Sequence, residues 1–161
     1  MEAAVCRERL GRLLQEETTA LTELSDLLER EHTHLLANDV AGLDAANHER
    51  QRRVARIIAI DEERRALCLD LDRANDPQGL QELLHWCDPR GTLAGSSAAR
   101  AQAAARCRQL NDRNGALVGA RLQHVQARLS LLLNQRRDPV TYDPRGRYGA
   151  EGAGRVLATE A

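Results

Sequence analysis

Apolar residues recur along this chain in steps of four and three. The first series runs Leu10, Leu14, Leu21, Leu24, Leu28 and Leu35, with Glu17 and Glu31 standing at seam positions. Such steps return to one side of an α-helix, so the segment predicts a long amphipathic helix whose stripe needs a partner. Charges in a seam usually set register, and both glutamates are expected beside an arginine or a solvated edge. Asn38-Asp39 interrupts the pattern, and Asp39 suits the N-cap of a second helix. That helix carries Val40, Leu43, Val54, Ile57, Ile58, Leu67, Cys68 and Leu71 and is expected to run to Asn75-Asp76-Pro77, where proline opposes continuation. At 1.5 Å per residue it would extend about 50 Å. Two such helices joined by a tight break predict an antiparallel hairpin, because each buries its stripe on the other.

Leu80, Leu83, Leu84 and Trp86 then fit a short third helix closing the open end of the hairpin, stopped by Asp88-Pro89-Arg90-Gly91. Gly91 to Ser97 reads as a linker, with Ser96 or Ser97 capping a last long helix that reaches about Asn134. Its ladder is Val118, Leu122, Val125, Leu129 and Leu132. Together with Leu131 and Leu133 it covers more of the helix than one hairpin can bury, so exposed apolar surface is expected. Beyond Asp138 the chain turns to Gly, Pro and Arg and predicts a flexible tail. The expected organisation is a hairpin with a short helix over residues 1–90, a linker and amphipathic helix over 91–137, and a tail over 138–161.

Composition sharpens this to an all-α fold, a helical hairpin or coiled coil. With no Phe, one Trp and two Tyr, burial falls to Leu, Val, Ile and Ala, the stock of helix seams. Every basic side chain other than histidine is arginine, and the net charge is −1, which gives no global support to a nucleic-acid or anionic-membrane partner. The richest basic cluster, Arg50, Arg52, Arg53 and Arg56, is neighboured by Glu49, Glu62 and Glu63 and lacks interleaved aromatics, so it reads as a solvated helix face. Cys6, Cys68, Cys87 and Cys107 are widely spaced and read as small buried hydrophobes of a reducing cytoplasm. No stretch approaches the ~20 apolar residues of a membrane span, and the first residues lack a signal-peptide pattern, so a cytoplasmic protein without membrane insertion is expected.

Reactive chemistry finds no foothold. His32 and His34 point apart around a helix, as do His85 and Cys87, so neither pair has metal-ligand spacing. The glycines follow no strand and precede no G-K-[ST], which removes a phosphate loop. Glu62 and Glu63 are adjacent and diverge; they read as surface partners of Arg56 and Arg65 rather than an acid/base dyad. A non-enzymatic protein with no cofactor and no metal is expected.

Asn111 and Asn114 occupy seam positions just before the ladder, where they either fix register or serve recognition. The run Leu110-Asn111-x-x-Asn114-Gly115-x-x-Val118, the ladder to Leu133, and Thr141-Tyr142-Asp143-Pro144-Arg145-Gly146 resemble the FlgN family of flagellar export chaperones. The amino-terminal half is similar as well, in Leu24-x-x-Leu27-Leu28-x-x-Glu31, Leu43 and Arg64-Arg65. The resemblance implies a cytoplasmic chaperone that binds the terminal helical segments of hook-associated proteins, which form the hook-filament junction. It further implies that such a chaperone prevents premature client assembly and delivers the client to the flagellar type III export gate. Carried over by motif, the client-facing set would be Asn111, Asn114, Leu117, Val118, Leu122, Val125, Leu129 and Leu132. The gate-docking residue would be Tyr142, with Tyr148 in Tyr148-Gly149 as its competitor. Periodicity alone equally allows a scaffolding coiled coil without a client, whose seams would make a homodimer.

Overall fold

The computed structural model describes residues 2–74 and 76–135. Four helices account for nearly all of them: α1 (Ala3–Ala37), α2 (Val40–Leu69), α3 (Pro77–Cys87) and α4 (Ala94–Gln135). The chain divides into one compact unit ending at Val118 and a second beginning at Gly119. The expected tail lies outside the described residues.

The break between α1 and α2 is local chemistry. Asn38 takes the left-handed conformation at φ 55°, and its backbone N–H donates to the Leu35 carbonyl, ending α1. Asp39 caps α2 by accepting from the Gly42 N–H at 2.9 Å. Asp76 repeats the device on α3, accepting from the Gly79 N–H at 2.7 Å. In both Asp-x-x-Gly turns the glycine is needed for space: a Cβ on Gly42 would meet the His34 ring, and one on Gly79 the Ala74 carbonyl.

α1 is the central helix, packing against α2 along the hairpin and against α3 at its amino-terminal end. Cys6, Leu10, Leu13 and Leu14 of α1 meet Ile60, Leu67 and Cys68 of α2 and Leu80, Leu83 and Cys87 of α3. This apolar cluster closes the open end of the hairpin, as the pattern predicts. A second cluster joins Leu21, Leu24, Leu27 and Leu28 of α1 to Ala46 of α2 and to Cys107 and Leu110 of α4. The first half of α4 is thus the third helix of the bundle, running parallel to α1.

Several expectations need correction. α2 stops at Leu69, short of Asn75: Asp72 is left-handed at φ 52°, and the Arg73 N–H closes back on the Cys68 carbonyl at 2.9 Å. The last helix starts at Ala94, so Ser96 and Ser97 lie inside it. The turn before it is tied instead by buried Asp88, which accepts from the Thr92 hydroxyl and the Leu93 N–H, both at 2.6 Å. α2 also buries less of its apolar series than expected, since Val40 and Ile58 are exposed, and in α3 it is Cys87 rather than exposed Trp86 that enters the core. Glu63 ion-pairs with Arg12 of α1 at 3.7 Å.

All four cysteines are buried and free. Burial, reinforced by the neighbouring Cys87 thiol, pushes the Cys6 thiol up to about 12, and burial raises Cys68 and Cys87 as well. At pH 8 Cys6 is therefore ionised in only about one molecule in 10⁴. Native protein is expected to resist iodoacetamide at Cys6, Cys68 and Cys87, and urea to release all three, as peptide mass spectrometry would record. Because the fold favours the neutral thiol, this contribution to stability is complete below the ordinary value of 9.0 and is lost as pH climbs toward 12. Fast native labelling of Cys6 would show that α3 opens readily from the hairpin.

Candidate functional site: the apolar stripe of α4

One stripe runs the length of α4 and changes environment partway. Cys107, Leu110 and Asn114 lie on it and are buried against the hairpin. Val118, Leu122, Val125, Leu129 and Leu132 continue it at the same spacing, and each holds between 49% and 59% of its surface in solvent. Leu131 and Leu133, each 65% exposed, extend the apolar surface beyond the stripe. A single helix thus serves as core along its first half and presents a row of branched apolar side chains along its second. That row matches the spacing by which a second helix packs.

The asparagines of the sequence motif have definite partners. Asn114 is 4% exposed; its amide donates to the Leu28 carbonyl at 2.8 Å, and its Oδ1 lies 3.0 Å from His32 Nδ1. An amide that donates through nitrogen leaves its oxygen to accept, so the His32 proton belongs on Nδ1. Asn111 is exposed and its Oδ1 accepts from Arg50 Nη2 at 2.5 Å. Leu117 is half-buried. Of the residues singled out from the sequence, the structure brings Val118, Leu122, Val125, Leu129 and Leu132 onto one exposed face, and engages Asn111 and Asn114 with the hairpin. Tyr142 and Tyr148 lie outside the described residues.

Two polar layers, built on the seam glutamates that were expected beside arginine, hold the stripe's buried half in register. In one, buried Glu17 of α1 faces Arg100 of α4 at 3.1 Å and Arg64 of α2 at 3.8 Å; Arg64 also pairs with Asp61. In the other, buried Glu31 faces Arg50 of α2 at 3.4 Å, and Arg50 reaches on to Asn111. The layers are two heptads apart on both α1 and α2, from Glu17 to Glu31 and from Arg64 to Arg50, and Asn114 follows Arg100 at the same interval. That shared spacing is the signal from which the pairings were readable. Arg113 to Glu29, at 2.8 Å, adds an exposed link between α4 and α1.

Nothing among the described residues converges for catalysis. An open groove of about 570 Å³ between α1 and α4 is lined by residues such as Thr18, Thr22, Ser25, Ala99 and Ala103, without a nucleophile and base in contact. No group of three or more His, Cys, Asp or Glu side chains is placed to hold a metal ion among those residues. His34 instead meets Asp39 at 2.8 Å beside the α2 cap; Asp39 is held below the usual carboxylate range first by the Gly42 N–H and then by His34. Among the described residues no helix is long and apolar enough to cross a membrane.

A family model described as FlgN protein matches residues 1–150, a span that includes all four helices. No curated protein and no solved structure matches the chain.

Proposed function

The chain belongs to the FlgN family, whose members are flagellar export chaperones rather than enzymes, and from that premise we propose that it binds hook-associated proteins through the second half of α4. The observation that carries this reading is the stripe of α4, which serves as core up to Asn114 and lies exposed from Val118 to Leu132. A client's amphipathic terminal helix laid along Val118, Leu122, Val125, Leu129 and Leu132 would bury both stripes. The same contact would withhold the client's helix from assembly until export. Asn111 and Asn114 then act by position: their bonds to Arg50, Leu28 and His32 hold α4 on the hairpin, and Leu117 lies at the border of the client face.

The cytoplasm is the compartment of this activity, since export starts there. Delivery to the export gate falls to the tail, with Tyr142 as the docking residue and Tyr148 as the alternative. Tyrosine combines apolar area with a hydrogen-bonding tip, which suits it to anchor a short segment in a pocket. Calorimetric titration with purified hook-associated proteins tests the first part; absence of binding to every one of them would overturn it. For the second, Tyr142→Ala is expected to leave client affinity unchanged and to reduce client secretion, with Tyr148→Ala having the smaller effect. A Tyr142→Ala protein that no longer binds client would show that tail and ladder are one site. Secretion blocked only by Tyr148→Ala would move the docking residue.

A further inference from the structure

The apolar cluster at the open end of the hairpin contains three thiols. Cys6, near the start of α1, and Cys87, at the end of α3, are 0% and 2% exposed, and Cys68 of α2 lies in the same cluster. A hydrogen bond joins the Cys6 and Cys87 thiols where α1 meets α3. Two sulphurs in that relation become bonded when side-chain rotation closes the gap to the disulfide length of about 2.05 Å. The helix that brings Cys87 there is short, and it enters the cluster through Leu80, Leu83 and Cys87 while Trp86 stays exposed. A bond between the two sulphurs would therefore fasten α3 at a point where it already packs.

We propose that Cys6 and Cys87 are an oxidisable pair, and that small organic disulfides convert them to a bridge that ties α3 to the start of α1. The client face on α4 takes no part in this. Burial raises the Cys87 thiol and the Cys6 S–H lowers it again in part, whereas Cys6 is pushed up to about 12, so Cys87 is the first sulphur to ionise. Its thiolate attacks the small disulfide, which expels one thiolate and leaves a mixed disulfide on Cys87. The Cys6 thiolate then attacks the Cys87 sulphur and expels the second. Each expelled thiolate takes up the proton that a cysteine released, so two protein thiols are oxidised and the small disulfide is reduced to two thiols. Because both sulphurs are buried, the first attack waits on an opening of α3, and reclosing returns Cys87 to Cys6 for the second. In a reducing cytoplasm the pair stays as thiols, and excess thiol reverses the bridge by the same two steps.

The test incubates the full, reduced chain with hydroxyethyl disulfide, quenches it with iodoacetamide and maps it by non-reducing tryptic mass spectrometry. Trypsin places Cys6 in residues 1–7, Cys68 in 66–73 and Cys87 in 74–90, so each possible bridge has its own mass. The bridge between Cys6 and Cys87 is expected to exceed either bridge to Cys68 by about tenfold or more, since only the first pair is already in contact. It should form faster in mild urea, which opens α3, and it should raise the urea midpoint of unfolding until dithiothreitol reverses both mass and midpoint. Cys87→Ala is expected to abolish the midpoint shift and Cys107→Ala to leave it. Should Cys87→Ala fail to fold, the peptide map of the parent chain still decides. A main product bridged through Cys68 would overturn the pairing, as would a mixed disulfide on Cys87 that persists after the reagent is removed. Thiols that stay free in the folded chain through prolonged incubation, while the urea-unfolded chain reacts, would overturn it too. A bridge that lowers the midpoint would show α3 pulled from its cluster and would remove the proposed tie.

Discussion

Leu129→Asp is expected to weaken binding of a hook-associated protein by about 3 kcal/mol, more than a hundredfold, while the unfolding midpoint stays where it is. Leu129 holds 52% of its surface in solvent and lies inside the row from Val118 to Leu132, between Val125 and Leu132, so it contributes little to the free protein's core. In a helix-on-helix complex a position inside the row is covered on both sides by the partner helix, and an unpaired carboxylate there loses its hydration without a partner. Leu131→Asp is the control. Leu131 is more exposed, at 65%, and lies off the stripe, so the same charge there is expected to change affinity far less. Calorimetry on both variants reads the result. Equal losses would mean that the client covers the whole circumference of the helix or that charge alone weakens binding; no loss from either would remove the client from this face.

The largest expected effect on stability is at Glu17. Glu17→Ala is expected to cost about 3 kcal/mol in urea unfolding, because it leaves Arg64 and Arg100 facing one another with their shared carboxylate gone. Glu17 is 7% exposed, and its two arginine partners keep only 11% and 20% of their side-chain surface in solvent, so water compensates poorly. Arg100→Met is expected to cost less, since Glu17 keeps Arg64, and the methionine stem replaces part of the lost packing. A Glu17→Ala midpoint within experimental error of the parent would show that the arginines swing out to solvent and that the layer sets register without contributing stability. In that case Arg100→Met would be nearly silent as well.

Local signals along the chain settled much of the architecture on their own. Stripe spacing identified α1 and α4, Asp39 marked the start of α2, Asp76-Pro77 that of α3, and the scarcity of aromatics pointed to helix seams. These features are legible because capping and periodicity act within a few residues of one another. The end of α2 escaped, because Leu71 packs on the first core cluster and Asp72 takes a left-handed conformation that aspartate tolerates only in the right surroundings. The start of α4 escaped for a similar reason: the carboxylate tying its first turn belongs to Asp88, on the far side of the loop.

Periodicity says which residues share a face and is silent on which helix that face will meet. The sequence therefore left Asn114 open between register and recognition, and only the packing of α4 on α1 placed it against the Leu28 carbonyl and His32. Spacing likewise made the ladder from Val118 to Leu132 wider than one hairpin can bury, but did not say where along the α4 stripe burial would stop. Tertiary structure alone divided that stripe into a buried half and an exposed half, because burial depends on which neighbouring surface is present at each level and not on the residue itself.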